Sequence, residues 1–299
     1  MAHTHSHTSF YESARVGRAF SVGIALNLLF VVVEFAAGLR FDSVALISDA
    51  GHNLSDVVGL VLAWLAFRLA RIRPTARYTY GYKKSTVLVS LLNACILLVA
   101  VGAILVESVR KLSDPQPVPG DSIAWVAGIG IVVNAFTAWL FVRDKEKDLN
   151  VKGAYLHMAA DTLVSAGVVV SGLAMGRTGW YAIDPIVGIL VALVILFSTS
   201  KLLLASLRLS LDGVPAGIDI EGIRSGLLGD IPEVCDIHHL HVWPISTTEN
   251  ALTAHVVVRT LDGMDAVGRR LRERLAEYGI RHVTLEFEKE GCRCDNPCT

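Results

Sequence analysis

Glu34, Asp49, His52, Asp56, His157 and Asp161 are ionisable residues set within long apolar stretches of this chain. A charge near the centre of a bilayer costs about 2.5–3.5 kcal/mol on insertion scales, so such residues are functional candidates. Steps of three and four residues place Asp49, His52 and Asp56 along one helical face, and His157 and Asp161 share the i, i+4 relation. Each of two helices therefore offers the same unit, His-x-x-x-Asp. Two such helices face to face supply two imidazoles and two carboxylates, a four-ligand N/O set that suits tetrahedral Zn²⁺. An all-oxygen set would point to Mg²⁺ or Ca²⁺, and an all-sulfur set to Cu(I) or structural zinc. With ionised carboxylates and neutral imidazoles the set carries about −2, so a divalent cation neutralises it and metal release is linked to proton uptake. Polar residues also join membrane helices by hydrogen bonds. The duplication of the unit on two helices favours ligation over that reading. Glu34 and Asp49 are surplus to a four-ligand site and stay open between supporting the ligands and packing.

The elements that must position these residues are six apolar runs at about 17–39, 44–67, 87–109, 122–142, 153–175 and 182–204, each near the roughly 20 residues that span a hydrocarbon core. The first is too long, and followed by too many others, to be only a cleaved signal. Lys and Arg alternate between the intervening segments. They are dense before the first run, between the second and third (Arg68, Arg71, Arg73, Arg77, Lys83, Lys84) and between the fourth and fifth (Arg143, Lys145, Lys147, Lys152), and sparse elsewhere. The positive-inside rule then puts both termini in the cytoplasm. The chain is 299 residues long, 53% hydrophobic and 18% charged, which excludes a disordered or collagen-like chain. The averages conceal a division: residues 207–299 hold 25 of the 55 charged residues and are net −5, while the first 206 are net +4. No folded basic patch of the kind a nucleic-acid binder carries is evident.

From residue 207 the pattern becomes that of a small α/β domain. A helix is predicted over 218–228, strands over 236–245 and 249–259, an amphipathic helix over 263–278 and a last strand over 282–288. This part holds His238, His239, His241, His255 and His282, half of the ten histidines. Strand alternation predicts His239 and His241 on one face and His238 on the other. At the N-terminus His3, His5 and His7 alternate, and at the C-terminus Cys292, Cys294 and Cys298 form a cluster too small for a disulfide framework. Imidazole and thiolate both ligate zinc, so the two tails could share a metal. A loose chelating segment and a redox sensor are the respective alternatives.

Four stretches carry a family resemblance: SVALISDAGHNLSD (43–56), NVKGAYLHMAAD (150–161), Asp184-Pro185 opening the sixth run, and HHLHVW (238–243). The chain resembles the cation diffusion facilitators, and within them the zinc-exporting branch. The resemblance implies a polytopic α-helical membrane protein with six transmembrane helices and a C-terminal cytoplasmic α/β domain of metallochaperone-like, ferredoxin-like fold. The expected organisation is a His-containing tail (1–16), a transmembrane domain (17–206), a metal-sensing and dimerisation domain (207–290) and a Cys-rich tail (291–299). His52, Asp56, His157 and Asp161 match the transport-site ligands, and His238, His255, His282 and Glu288 match a regulatory zinc cluster. The implied activity is Zn²⁺/H⁺ antiport out of the cytoplasm by alternating access, in a homodimer embedded in the plasma membrane and conferring metal resistance. Zinc would be both cargo and regulatory ligand, protons the counter-ion, and nucleic acid no partner. An intramembrane zinc enzyme is an alternative, but the His-Glu-x-x-His signature of a hydrolase does not occur. A non-transporting zinc sensor is another, and it leaves the duplicated unit without a role. Two departures stand out: residues 72–82 contain no His, Asp, Glu or Cys for an additional loop site, and Thr86 stands where the family has an acid.

Overall fold

The structure, a computed structural model, describes residues 6–40, 44–113, 121–180 and 182–291. It divides into two units, Met1–Ser206 and Leu207–Thr299. The first is built from six long helices: α1 (Ser6–Arg40), α2 (Val44–Leu69), α3 (Ser85–Ser113), α4 (Asp121–Val142), α5 (Leu149–Thr178) and α6 (Ile183–Ser210). All six overlap the apolar runs of the sequence. Among the described residues, Arg15–Ala37, Ser85–Ser113 and Pro185–Ser210 are long and apolar enough to cross a membrane, with a shorter apolar stretch at Gly128–Val142. Helices α2 and α5 fall outside that group, and these are the two that carry the His-x-x-x-Asp units. Exposed Leu29, Val32, Val99, Val132, Phe197 and Leu204 give the bundle the apolar exterior that a bilayer requires.

The helices pack chiefly as α1 on α2 and α4 on α5, with α1 also on α4 and α3 on α5. Gly23 permits the close approach of α1 to α4, because a Cβ there would lie 2.9 Å from Thr137 Cγ2. Helix α5 has a polar start: Asp148 Oδ1 accepts the backbone N–H groups of Asn150 (2.7 Å) and Val151 (3.3 Å), satisfying donors that a helix end leaves unpaired. Asn150 Nδ2 donates to the Thr86 carbonyl at 3.0 Å and ties that start to α3.

The second unit runs α7 (Ile220–Asp230), β1 (Val234–Pro244), β2 (Asn250–Val258), α8 (Met264–Glu277) and β3 (Ile280–Lys289). Its sheet has the order β1-β2-β3, with β1 antiparallel and β3 parallel to β2. Both helices bury their apolar stripes on one face of the sheet, where Ile223, Leu227, Leu271 and Leu275 meet Ile237, Val242, Leu252 and Val256. Alternation leaves His255, Glu286 and Glu288 for the other face.

The alternation expected of β1 does not hold. Between His238 and His241 the strand contains one residue more than its partner, so three steps on β1 match the two from His255 to Thr253, and His239 is left-handed with φ 48°. A bulge of this kind reverses the facing of everything beyond it. His241 therefore joins the side of His238 instead of opposing it. The His239 ring is carried to 5.4 Å from that of His238 and 4.9 Å from that of His255.

Candidate metal centres

Asp56 on α2 and His157 and Asp161 on α5 converge inside the helix bundle. One ligand atom from each lies within 4.8 Å of the others. His157 Nε2–H donates to Asp56 Oδ1 at 2.6 Å, and the same nitrogen is 3.8 Å from Asp161 Oδ2. The three side chains are only 5%, 15% and 16% exposed. Two carboxylates and an imidazole held this close and this dry form a concentrated anionic, nitrogen-containing site. It fits a divalent cation better than a neutral ligand, since the cation offsets the charge that burial penalises. His52 lies on α2 one turn from Asp56; its side chain, like that of Asp49, falls outside the described residues.

Surroundings differ on the two sides of this triad. Toward the start of α5 it meets a crevice of about 20 Å³ bounded by Leu60, Asn93, Leu97 and Ala154, room for about one water molecule. Behind the crevice the bundle is sealed by Val16, Phe20, Phe141, Val151 and Met158, with the Phe20 and Phe141 rings 4.9 Å apart. Arg15 closes this end in a two-pronged ion pair with Asp144, its Nε donating to Oδ2 at 2.9 Å. Toward the end of α5, Asp161 opens on a cavity of about 350 Å³ whose polar lining includes Asn53, Asn134, Ser165 and Glu107. Among the described residues, open space adjoins the site toward the end of α5 and a packed apolar cluster lies toward its start.

A second constellation lies on the helix-free face of the C-terminal sheet. His255 Nδ1 donates to Glu288 Oε1 at 2.5 Å, His238 Nε2 is 3.4 Å from Glu288 Oε2, and ligand atoms of all three lie within 4.8 Å of one another. Nearby, Arg224 donates to Asp236 Oδ1 at 2.9 Å, which holds that carboxyl below its ordinary value. His282, expected in this cluster, is not brought to it. It pairs with Ala251, six residues along β3 from Glu288, or roughly 20 Å at the rise of a strand. His239, expected on the opposite face, is the third imidazole here instead. The tail residues His3, His5, His7, Cys292, Cys294 and Cys298 lie outside the described residues, His7 through its side chain.

Residues 21–209 match the cation efflux transmembrane domain, and residues 215–290 match the cytoplasmic domain of cation efflux proteins. The chain belongs to the cation efflux family. As a cation efflux protein it is a membrane transporter and not an enzyme. It is 37% identical to the zinc transporter ZitB of Pectobacterium atrosepticum over 99% of this chain and 92% of that one. It is 36% identical to the ZitB of Escherichia coli over 98% and 94%. A relative named as a cadmium, cobalt and zinc/H(+)-K(+) antiporter, from Bacillus subtilis, is 33% identical over 89% of this chain and 87% of its own.

The interior of this cation efflux protein also holds amides, which a sequence search for ionisable groups misses. Asn27, Asn93 and Asn134 are nearly fully buried, and Asn53 lines the cavity beside Asp161. Their signal was present as asparagines at intervals within apolar runs. The Arg15–Asp144 pair joins residues 129 apart and carried no local signal.

Proposed function

We propose that this transporter exports Zn²⁺ from the cytoplasm in exchange for protons, with Asp56, His157, Asp161 and His52 as the ligands of the transported ion. The observation that carries the reading is the convergence of Asp56, His157 and Asp161 within 4.8 Å inside a membrane bundle. A cation takes a bare Nε2 of neutral His157 and ionised carboxylates, so any proton that the three groups share in the empty site leaves as the ion enters, and protons returning to them displace the ion on exit. The names of the relatives, zinc transporters and a zinc/H(+)-K(+) antiporter, support both the cargo and the counter-ion.

The unequal access supports alternating access. In the inferred topology, with both termini in the cytoplasm of a cell whose inner membrane holds the protein, the 350 Å³ cavity faces outward and the Phe20–Phe141 plug faces the cytoplasm. The cycle then needs a second state in which plug and cavity exchange roles. The match to the family's cytoplasmic domain supports assembly as a homodimer. Zinc at His238, His255 and Glu288 would bias the equilibrium between the two states.

Asp56→Ala or Asp161→Ala should each abolish pH-gradient-driven zinc uptake into everted membrane vesicles while the purified protein stays monodisperse. Normal uptake by either variant removes the site. Competition by Cd²⁺ and Co²⁺ in the same assay measures selectivity, because all three ions accept tetrahedral N/O ligands.

A further inference from the structure

Glu34 on α1 is a fully buried carboxylate, 0% exposed, that belongs to neither metal constellation. Asn53 on α2 donates its Nδ2 to Glu34 Oε2 at 2.7 Å across the tightly packed α1–α2 interface. Asn53 directly follows His52 and lies three residues before Asp56, on the turn of α2 that leads into the site. Its side chain lines the cavity that begins at Asp161.

The chemistry of the two groups fixes the orientation of the amide. A carboxylate oxygen accepts and the amide nitrogen only donates, so Glu34 turns the NH₂ end of Asn53 toward α1. The carbonyl Oδ1 is then the end that serves the cavity. Turned the other way, Asn53 would present a donor with partial positive charge to a departing cation. Turned this way, it presents a hard oxygen of the kind that binds divalent ions or their water shells. A carboxylate in the bundle interior is expensive, and fixing this dipole beside the exit from Asp161 gives it a role that packing alone does not.

We propose that Glu34 is a positioning residue that holds the Asn53 carbonyl toward the cavity, where it offers an oxygen to a cation leaving Asp161. This rests on the reading of Asp56, His157 and Asp161 as the transport site. It assigns Glu34 to the rate of ion passage and not to the affinity of the site.

The test is a double-mutant cycle on the full chain in proteoliposomes, with zinc as the probe. Glu34→Met keeps the volume and removes the acceptor; Asn53→Ala removes the carbonyl; Glu34→Gln keeps an acceptor oxygen. Each of the first two should lower maximal zinc flux by about tenfold, and the double variant should lose no more than the worse single one, because the two residues act as a unit. Glu34→Gln should restore most of the flux, and zinc affinity measured calorimetrically on the purified protein should stay within about twofold throughout. Thermal unfolding in detergent identifies any variant that is merely unfolded, and Asn53→Ala with Glu34→Gln then still decides the matter. Multiplied losses in the double variant, or a Glu34→Gln as impaired as Glu34→Met, overturn the proposal. Asp161→Ala run in parallel separates the levels: flux retained there means the transport site itself is misread, whereas flux lost there with an additive cycle sinks only the Glu34–Asn53 pairing.

Discussion

Glu288 is the hinge of the C-terminal cluster, because each of its oxygens faces a different histidine, His255 at 2.5 Å and His238 at 3.4 Å. Removing His255 takes away the imidazole that Glu288 holds most closely and leaves His238, His239 and Glu288, one donor short of a tetrahedral protein set. In an Asp161→Ala background that isolates this cluster, His255→Ala should weaken zinc binding by about tenfold or more, while His282→Ala should leave it unchanged. Titration of the purified protein against a fluorescent chelator measures both, and equal effects would restore His282 to the site. The convergence of Asp56, His157 and Asp161 was legible because charge in lipid is costly and their spacing repeats on two helices. The arrival of His239 was not, since it depends on one extra residue in β1 that only pairing with β2 defines. Neutral amides such as Asn53 and Asn134 went unremarked because burying them costs far less than burying a charge.

At the level of elements, the helices extend past their apolar runs, and what lies beyond those runs does structural work. Helix α1 begins at Ser6 and places Arg15 against Asp144 in the turn between α4 and α5. Asp144 is 7% exposed and Arg15 35%, so the pair is desolvated on one side only. Asp144→Ala should therefore cost about 1–2 kcal/mol, less than the 3–5 kcal/mol of breaking a fully buried pair. Thermal unfolding of the detergent-solubilised protein would register it. If the pair also closes the end of the bundle where α1 begins, a cysteine at Ala63 or Val151 should label faster from that side in the variant, and unchanged labelling would restrict the pair to stability. The order of the elements was legible from periodicity and charge. Their packing, α1 on α2 and α4 on α5, was not, because lipid-facing and bundle-facing sides of an apolar helix look alike in composition.

On the scale of the whole molecule, the division of charge between the two parts of the chain reflects two solvents: the first unit keeps most of its charges near helix ends, with Glu34 and the Asp56–His157–Asp161 site inside, and the second distributes them over a water-facing surface. The structure separates the units at Ser206 and Leu207, where the composition changes. The pairing of helices also bears on how the protein is made. Asp56, near the middle of α2, alone costs it about 2.5–3.5 kcal/mol of insertion free energy and Asp49 adds to that, against about 0.3–0.6 returned by each Leu, Ile or Val. Emerging from the ribosome by itself, α2 is a poor substrate for the translocation machinery. Helix α1 precedes it, packs closely on it and carries the carboxylate that accepts Asn53. In a glycosylation-mapped insertion assay, α2 in isolation should be retained in the membrane in a minority of chains, and the α1–α2 hairpin in most. The same contact that orients an amide in the finished transporter would then serve earlier as the handhold by which a charged helix enters the lipid.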